Sequence, residues 1–306
     1  MMAPLTDPSN ASKADLNRKA FIALSGGALA LSTSMAAALA AGEGFGKFHD
    51  PIVSEDDPAI VVERPTLKRP GGDVDSYAAL PRGASKNAPG VVVVQAIWGI
   101  DTQLRDVVRR FAKAGYVTIA PDLFARLNAP SGDHASDYAP YRALAEKLSD
   151  DQVDGDLQAG GTWIRARAGV GSTDRPPKVG ITGFCMGGGI AFRQAISKPA
   201  FDAVAVWYGK VRQRPRDGGP ATEPSLAYAD ALSIPLLGSF GGRDTSIPVE
   251  EVRQLDRRLR GAHDIKIYDE AGHAFFDDQR SSYVPSAATD AWTRTLAWFH
   301  RYLTAA

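Results

Sequence analysis

Residues 178–190 read Lys-Val-Gly-Ile-Thr-Gly-Phe-Cys-Met-Gly-Gly-Gly-Ile, and the fold follows from how this stretch is read. A short apolar strand, Val179–Thr182, runs into Gly183-Phe184-Cys185-Met186-Gly187-Gly188, and an amphipathic stretch, Ile190–Ile196, follows. The order is strand, sharp turn, helix. The spacing G-x-C-x-G-G is a nucleophile-elbow pattern with cysteine where serine more often stands. A β-carbon at Gly183 or Gly187 would collide where the strand and helix backbones approach. Cys185 then lies at a helix N-terminus, where free N–H groups and the positive end of the dipole favour a thiolate. The plainer alternative is a glycine-rich turn carrying an inert, buried cysteine.

Two stretches downstream weigh against that alternative. A strand-like run, Ile234–Phe240, ends in Gly241-Gly242-Arg243-Asp244, and a second, Ile265–Tyr268, ends in Glu270-Ala271-Gly272-His273. Cys185, Asp244 and His273 stand in the nucleophile–acid–base order of α/β-hydrolases. Both partners follow strands, which puts them at the same carboxyl edge as the elbow. Singly, such an Asp is a turn residue and such a His a cap; together, in this order, they form a candidate triad.

The rest of the chain fits an α/β-hydrolase fold: a mostly parallel, doubly wound sheet with an antiparallel N-terminal hairpin. Ile60–Glu63 and Val74–Leu80 flank the turn Pro70-Gly71-Gly72 and read as that hairpin. Val91–Ile97 is a continuous apolar run, as expected of a central strand buried on both faces. Strands at Tyr116–Ala120 and Ala203–Trp207 alternate with helical patterns around Val107–Phe111, Tyr141–Leu148 and Val153–Arg167, and a closing helix carries Trp292, Leu296, Phe299 and Leu303. Ahead of this domain, expected over 59–306, lie two other segments. Arg18-Lys19, an apolar small-residue run from Ala23 and Ala38-Leu39-Ala40 read as a twin-arginine-like export signal over residues 1–41, with Lys19 in place of the second arginine and an ordinary buried helix or an uncleaved membrane anchor as the alternatives. Residues 42–58 read as a Gly/Pro/Asp-rich linker. The expectation is an exported protein, periplasmic or secreted, with no stable membrane insertion once the signal is cleaved.

At these residues the chain resembles the dienelactone hydrolase (carboxymethylenebutenolidase) family, over about residues 60–303. The resemblance is carried by VVVVQAIWG at 91–99, GYVTIAPDLFAR at 115–126, GFCMGG at 183–188, Trp207-Tyr208-Gly209, GGRDTSIP at 241–248 and EAGHAF at 270–275. It implies a hydrolase of small esters or lactones with Cys185 as nucleophile, His273 as base and Asp244 orienting it. Backbone N–H groups of Ile97 and Met186 are the expected oxyanion hole, and Trp98, Tyr208 and Phe275 are expected pocket walls. The chain departs from the family at two places. The best-known members read Gln-Glu where this chain has Gln95-Ala96, and that glutamate helps activate the thiol. Of the two arginines that hold the dienelactone carboxylate, one corresponds to Asp277 here, while Arg142 is the candidate for the other, with a solvated helix arginine as the plain alternative. Uncharged esters or lactones are therefore the expected substrates. On the same triad a thioesterase or peptidase remains open, as does a weakly catalytic thiol-redox or binding protein.

Composition narrows the classes. Among 306 residues, Lys+Arg and Asp+Glu each total 35, so no net charge draws the chain to nucleic acid or anionic membrane. The single cysteine excludes an internal disulfide and a cysteine-rich metal site, and the five histidines lack ligand spacing such as H-E-x-x-H. No cofactor or metal is expected, and a monomer is.

Overall fold

In a computed structural model of the chain, the residues described are 50–84, 87–133, 135–168, 176–196, 200–213, 226, 229–230 and 232–304. The expected export signal and residues 42–49 of the expected linker lie outside them. Strand β4 (Gly90–Val94) is buried at every position, and burying each valine contributes about 1.5–3 kcal/mol. It lies between β5 (Val117–Pro121) and β6 (Val179–Phe184), parallel to both, with Val92 opposite Ile119 and Ile181. Beyond β6 come β7 (Ala203–Trp207), β8 (Leu236–Gly241) and β9 (His263–Tyr268), all parallel. On the other side β3 (Val74–Pro81) runs antiparallel to β5 and carries β1 (Ile60–Glu63) and the two-residue β2 (Thr66–Leu67), both antiparallel to it. The order among the described residues is β1-β3-β5-β4-β6-β7-β8-β9. This is the mostly parallel sheet with an antiparallel start that the sequence leads one to expect.

Helices alternate with the parallel strands: α1 (Thr102–Lys113), α2 (Ala139–Ala145), α3 (Asp150–Ala168), α4 (Met186–Ile196), α5 (Val249–Arg258) and α6 (Pro285–Phe299). The first is amphipathic and opens on Asp101, whose carboxylate accepts from Leu104 N at 2.9 Å, a cap worth about 1 kcal/mol. Among the described residues no helix is long and apolar enough to cross a membrane.

One difference from expectation bears on the site. The apolar run to Ile97 does not stay in the sheet: β4 ends at Val94. The buried Gln95 side chain accepts from Leu123 N at 3.0 Å, and Gly99 turns back on Ala96 O with φ +80°. Ile97 and Trp98 thus stand on a turn beyond the strand end.

A buried charge network ties the outer layer to the loop after β9. The Asp106 carboxylate accepts from Ile52 N (2.8 Å) and Val53 N (2.9 Å), and Arg110 donates to both Asp106 and Asp278. Replacing Arg110 by methionine removes the buried guanidinium that both carboxylates share, so stability should fall by about 3 kcal/mol or more. Urea unfolding followed by tryptophan fluorescence checks this; a loss below about 1 kcal/mol, the level of an exposed pair, excludes a structural role for the network.

Candidate active site

The elbow is built from close backbone contacts. A Cβ on Gly183 would lie 2.1 Å from Gly187 O, and one on Gly187 would lie 2.4 Å from both Val94 O and Gln95 O. Only hydrogen fits at either place, so the first turn of α4 is pressed against the end of β4. Between them Cys185 adopts φ +54°, a conformation that costs a non-glycine residue of order 1–3 kcal/mol. Its N–H donates to Trp207 O at 3.1 Å, at the end of β7. Two other non-glycine residues with positive φ flank it in the site, Tyr208 at +37° and Ala274 at +59°.

The structure brings Cys185, His273 and Asp244 into one line of contacts. His273 Nε2 is 3.0 Å from Cys185 Sγ, and Nδ1 is 2.7 Å from Asp244 Oδ2. Asp244 is buried, and its other oxygen accepts from Ser246 N at 2.8 Å and Ile247 N at 3.2 Å. The carboxylate is therefore held by its own turn before it meets the imidazole. Burial works against charge on His273, but the hydrogen bonds and charges of Asp244 and Cys185 outweigh it, and the imidazole pKa is pushed up to about 10. A raised histidine pKa gives stability that is fully present below the unfolded value, about 6.5, and is lost as pH rises through the folded one. The melting-temperature gap between wild type and His273→Gln should thus be widest below about pH 6.5 and close near about pH 10. A gap independent of pH excludes an imidazolium in the resting site.

Ile97 and Met186 share one hydrophobic cluster with Phe124 and Tyr141, which places the turn after β4 beside the start of α4. Among the described residues neither backbone N–H has a protein acceptor. Trp98 is half-buried and packs edge-on to Tyr138 (6.0 Å) and Tyr141 (5.2 Å). Tyr208 stands edge-on to His273 at 5.4 Å. Phe275 is wholly buried against Tyr208 and Tyr268, so it supports the histidine loop from beneath instead of lining an open wall. Arg142 is not brought to this group. Its side chain is 68% exposed on α2 and pairs with Glu146, the solvated-helix alternative. Ala96, where the best-known family members have glutamate, presents only a methyl group, and among the described residues the thiol's side-chain partner is His273.

Two features escaped the sequence reading. Asp277 Oδ2 accepts from Arg280 Nε at 3.0 Å, and the Arg280 guanidinium lies 4.0 Å over the Trp98 ring. Asp101 is buried; desolvation, with the nearby Asp277 charge, pushes its pKa up to about 7. Asp101 reads locally as a helix cap, and no sequence signal links it to Asp277. Among the described residues no cluster of His, Cys, Asp and Glu is arranged to hold a metal ion.

A parallel-sheet core with an elbow after one strand, an acid after a later one and a histidine after the last is the arrangement of the α/β-hydrolases. Solved structures agree at the level of the fold: an acylaminoacyl peptidase of Pyrococcus horikoshii superposes with TM-score 0.56 at 17% identity, over 80% of this chain and 42% of that one. The match is much closer within one branch. The model of the dienelactone hydrolase family matches residues 74–303, and the chain belongs to that family. A protein of Escherichia coli K12 named "Putative carboxymethylenebutenolidase" is 36% identical over 254 residues, covering 82% of this chain and 91% of that one. A protein of the same name from Methylorubrum extorquens is 34% identical over 82% of this chain and 84% of its own. The crystal structure titled "Putative Dienelactone Hydrolase" from Klebsiella pneumoniae superposes with TM-score 0.70 at 36% identity, over 80% of this chain and all of that one. The chain is a dienelactone hydrolase-like hydrolase.

Proposed function

We propose that this protein hydrolyses small esters or lactones through a covalent thioester on Cys185. The observation that carries the reading is the unbroken Asp244–His273–Cys185 line of contacts, at 2.7 and 3.0 Å. His273 Nε2, 3.0 Å from Sγ, takes the thiol proton and leaves the thiolate as the nucleophile. The thiolate adds to the substrate carbonyl carbon, and the oxygen takes the negative charge. The N–H groups of Ile97 and Met186 donate to that oxygen; such donors are typically worth about 3 kcal/mol each. When the tetrahedral centre collapses, the C–O bond breaks and the leaving oxygen takes the proton from His273. Neutral His273 then removes a proton from water as it adds to the thioester. Collapse expels the Cys185 thiolate and the carboxylic acid product, and the imidazolium is restored. Asp244 keeps Nδ1 protonated throughout, so that Nε2 is the atom that exchanges protons.

Pre-steady-state turnover of 4-nitrophenyl acetate tests the mechanism. A burst of nitrophenolate equal to the enzyme concentration, with an acetylated Cys185 in the quenched protein by mass spectrometry, is the expected result. Turnover without a burst and without label on Cys185 excludes the covalent route. The reading includes an exported protein, whose mature chain from the native host would begin near Ala41 or Gly42; intact-mass analysis checks that start.

A further inference from the structure

The rim of the site carries a charge arrangement that the triad does not use. Arg280 lies seven residues beyond His273 in sequence, on the same loop, and its guanidinium stacks at 4.0 Å over the ring of Trp98, the residue after Ile97. Three contacts hold it there: Nε to Asp277 Oδ2 at 3.0 Å, Nη1 to Ala135 O at 3.1 Å, and the ring face itself. The Ala135 loop is in turn pressed onto Trp98, since a Cβ on Gly132 would lie 1.9 Å from Trp98 O. A quarter of the Arg280 side chain is exposed, while Asp277 is almost buried. Among the described residues Nη2 has no protein acceptor. A cation with one free edge is therefore presented to solvent beside the turn that carries the Ile97 N–H, and Asp277 offsets its charge. Asp101 adds a second buried carboxyl close enough to Asp277 that, after burial itself, the Asp277 charge is what raises its pKa. An incoming carboxylate would compete with Asp277 for Arg280 and would meet the buried Asp101 carboxyl as well. An uncharged acyl group meets none of these penalties and leaves the Arg280–Asp277 pair intact.

We infer that Asp277 and Arg280 are a specificity-determining pair: Asp277, acting through Arg280, makes the site select uncharged acyl groups over carboxylated ones. This rests on the hydrolase reading above. Asp277 is a positioning residue here, and Arg280 is the group that faces the acyl chain.

The test compares kcat/KM for two aryl esters of similar acyl length, 4-nitrophenyl butyrate and the mono-4-nitrophenyl ester of glutaric acid, with spontaneous hydrolysis subtracted. A general loosening of the fold lowers both rates alike, whereas the ratio reports charge at the rim. Wild type should prefer the butyrate by about tenfold or more, the size of one lost charge-assisted contact. Asp277→Asn releases the Arg280 charge and should narrow the preference by about fivefold or more. Arg280→Gln leaves Asp277 without its cation and should widen it by about threefold or more, and the double variant should not narrow it. An unchanged ratio, within about twofold, in Asp277→Asn overturns the inference. So does narrowing in the double variant equal to that in Asp277→Asn, because Asp277 would then act directly and not through Arg280. If Asp277→Asn does not fold, Arg280→Gln decides alone: a ratio unchanged or narrowed overturns the inference. Absence of butyrate turnover by wild type is a different result, and it overturns the hydrolase reading itself.

Discussion

Replacing Cys185 by alanine should lower ester turnover by a factor on the order of 10³ or more while the protein stays folded. The activity term follows from the line of contacts: without Sγ, His273 has no thiol to ionise, and no covalent acyl intermediate forms. The stability term follows from the elbow. What the turn requires of residue 185 is a φ of +54° and an N–H bonded to Trp207 O, and alanine supplies the second and tolerates the first as cysteine does. Side-chain volume falls, so no clash is introduced at a place where the neighbouring glycines leave no room. His273 keeps its bond to Asp244. His273→Ala should cost a similar factor, since groups that act as a unit lose function together. Initial rates with 4-nitrophenyl acetate, alongside the urea midpoint of each variant, are the measurement. Activity of Cys185→Ala within a few-fold of wild type rules out covalent catalysis at this site.

How much of this was legible in the sequence depends on the range of the interactions. The elbow was readable because its constraint is local: hydrogen alone fits at Gly183 and Gly187, so the glycines are visible as letters. The acid and the histidine were readable because each follows a strand, and strand ends in a parallel sheet share one edge. Strand limits were less so. Val91–Ile97 is apolar throughout, and apolarity records burial, not hydrogen-bond pairing; the ladder stops at Val94, where Gln95 turns its side chain to Leu123. The two-residue β2 is too short to carry any periodicity. Arg142 and Arg280 show the limit most clearly. Both are arginines near an aromatic in the sequence, yet one ends on a solvated helix face beside Glu146 and the other over Trp98. That choice is made by Asp277 and by Ala135 O, the latter 145 positions away from Arg280, and no local pattern encodes it.

The second large effect is expected at Asp244, and it depends on which oxygen does what. Oδ1 accepts from two backbone N–H groups, Ser246 and Ile247, and Oδ2 from His273 Nδ1. In Asp244→Asn the amide has one oxygen and one NH₂ group. The two backbone donors require the oxygen, because an NH₂ facing them would leave buried donors opposed and unpaired. The NH₂ is thereby turned toward Nδ1, which becomes an acceptor, and the ring proton moves to Nε2. That tautomer cannot take the thiol proton, and the carboxylate that stabilises the imidazolium is gone. Turnover should drop by a factor on the order of 10³ to 10⁴, the cost of a wrong tautomer in a triad. The turn should survive, since Ser246 and Ile247 keep an acceptor, so the urea midpoint should move far less than activity does. Asp244→Ala offers the contrast: it removes the acceptor too, so it should lose activity and also destabilise the turn. Measuring kcat and the unfolding midpoint for both variants separates the roles. If Asp244→Asn retains kcat within about tenfold of wild type, the carboxylate does not set the histidine tautomer, and Asp244 is a turn residue that happens to touch the ring.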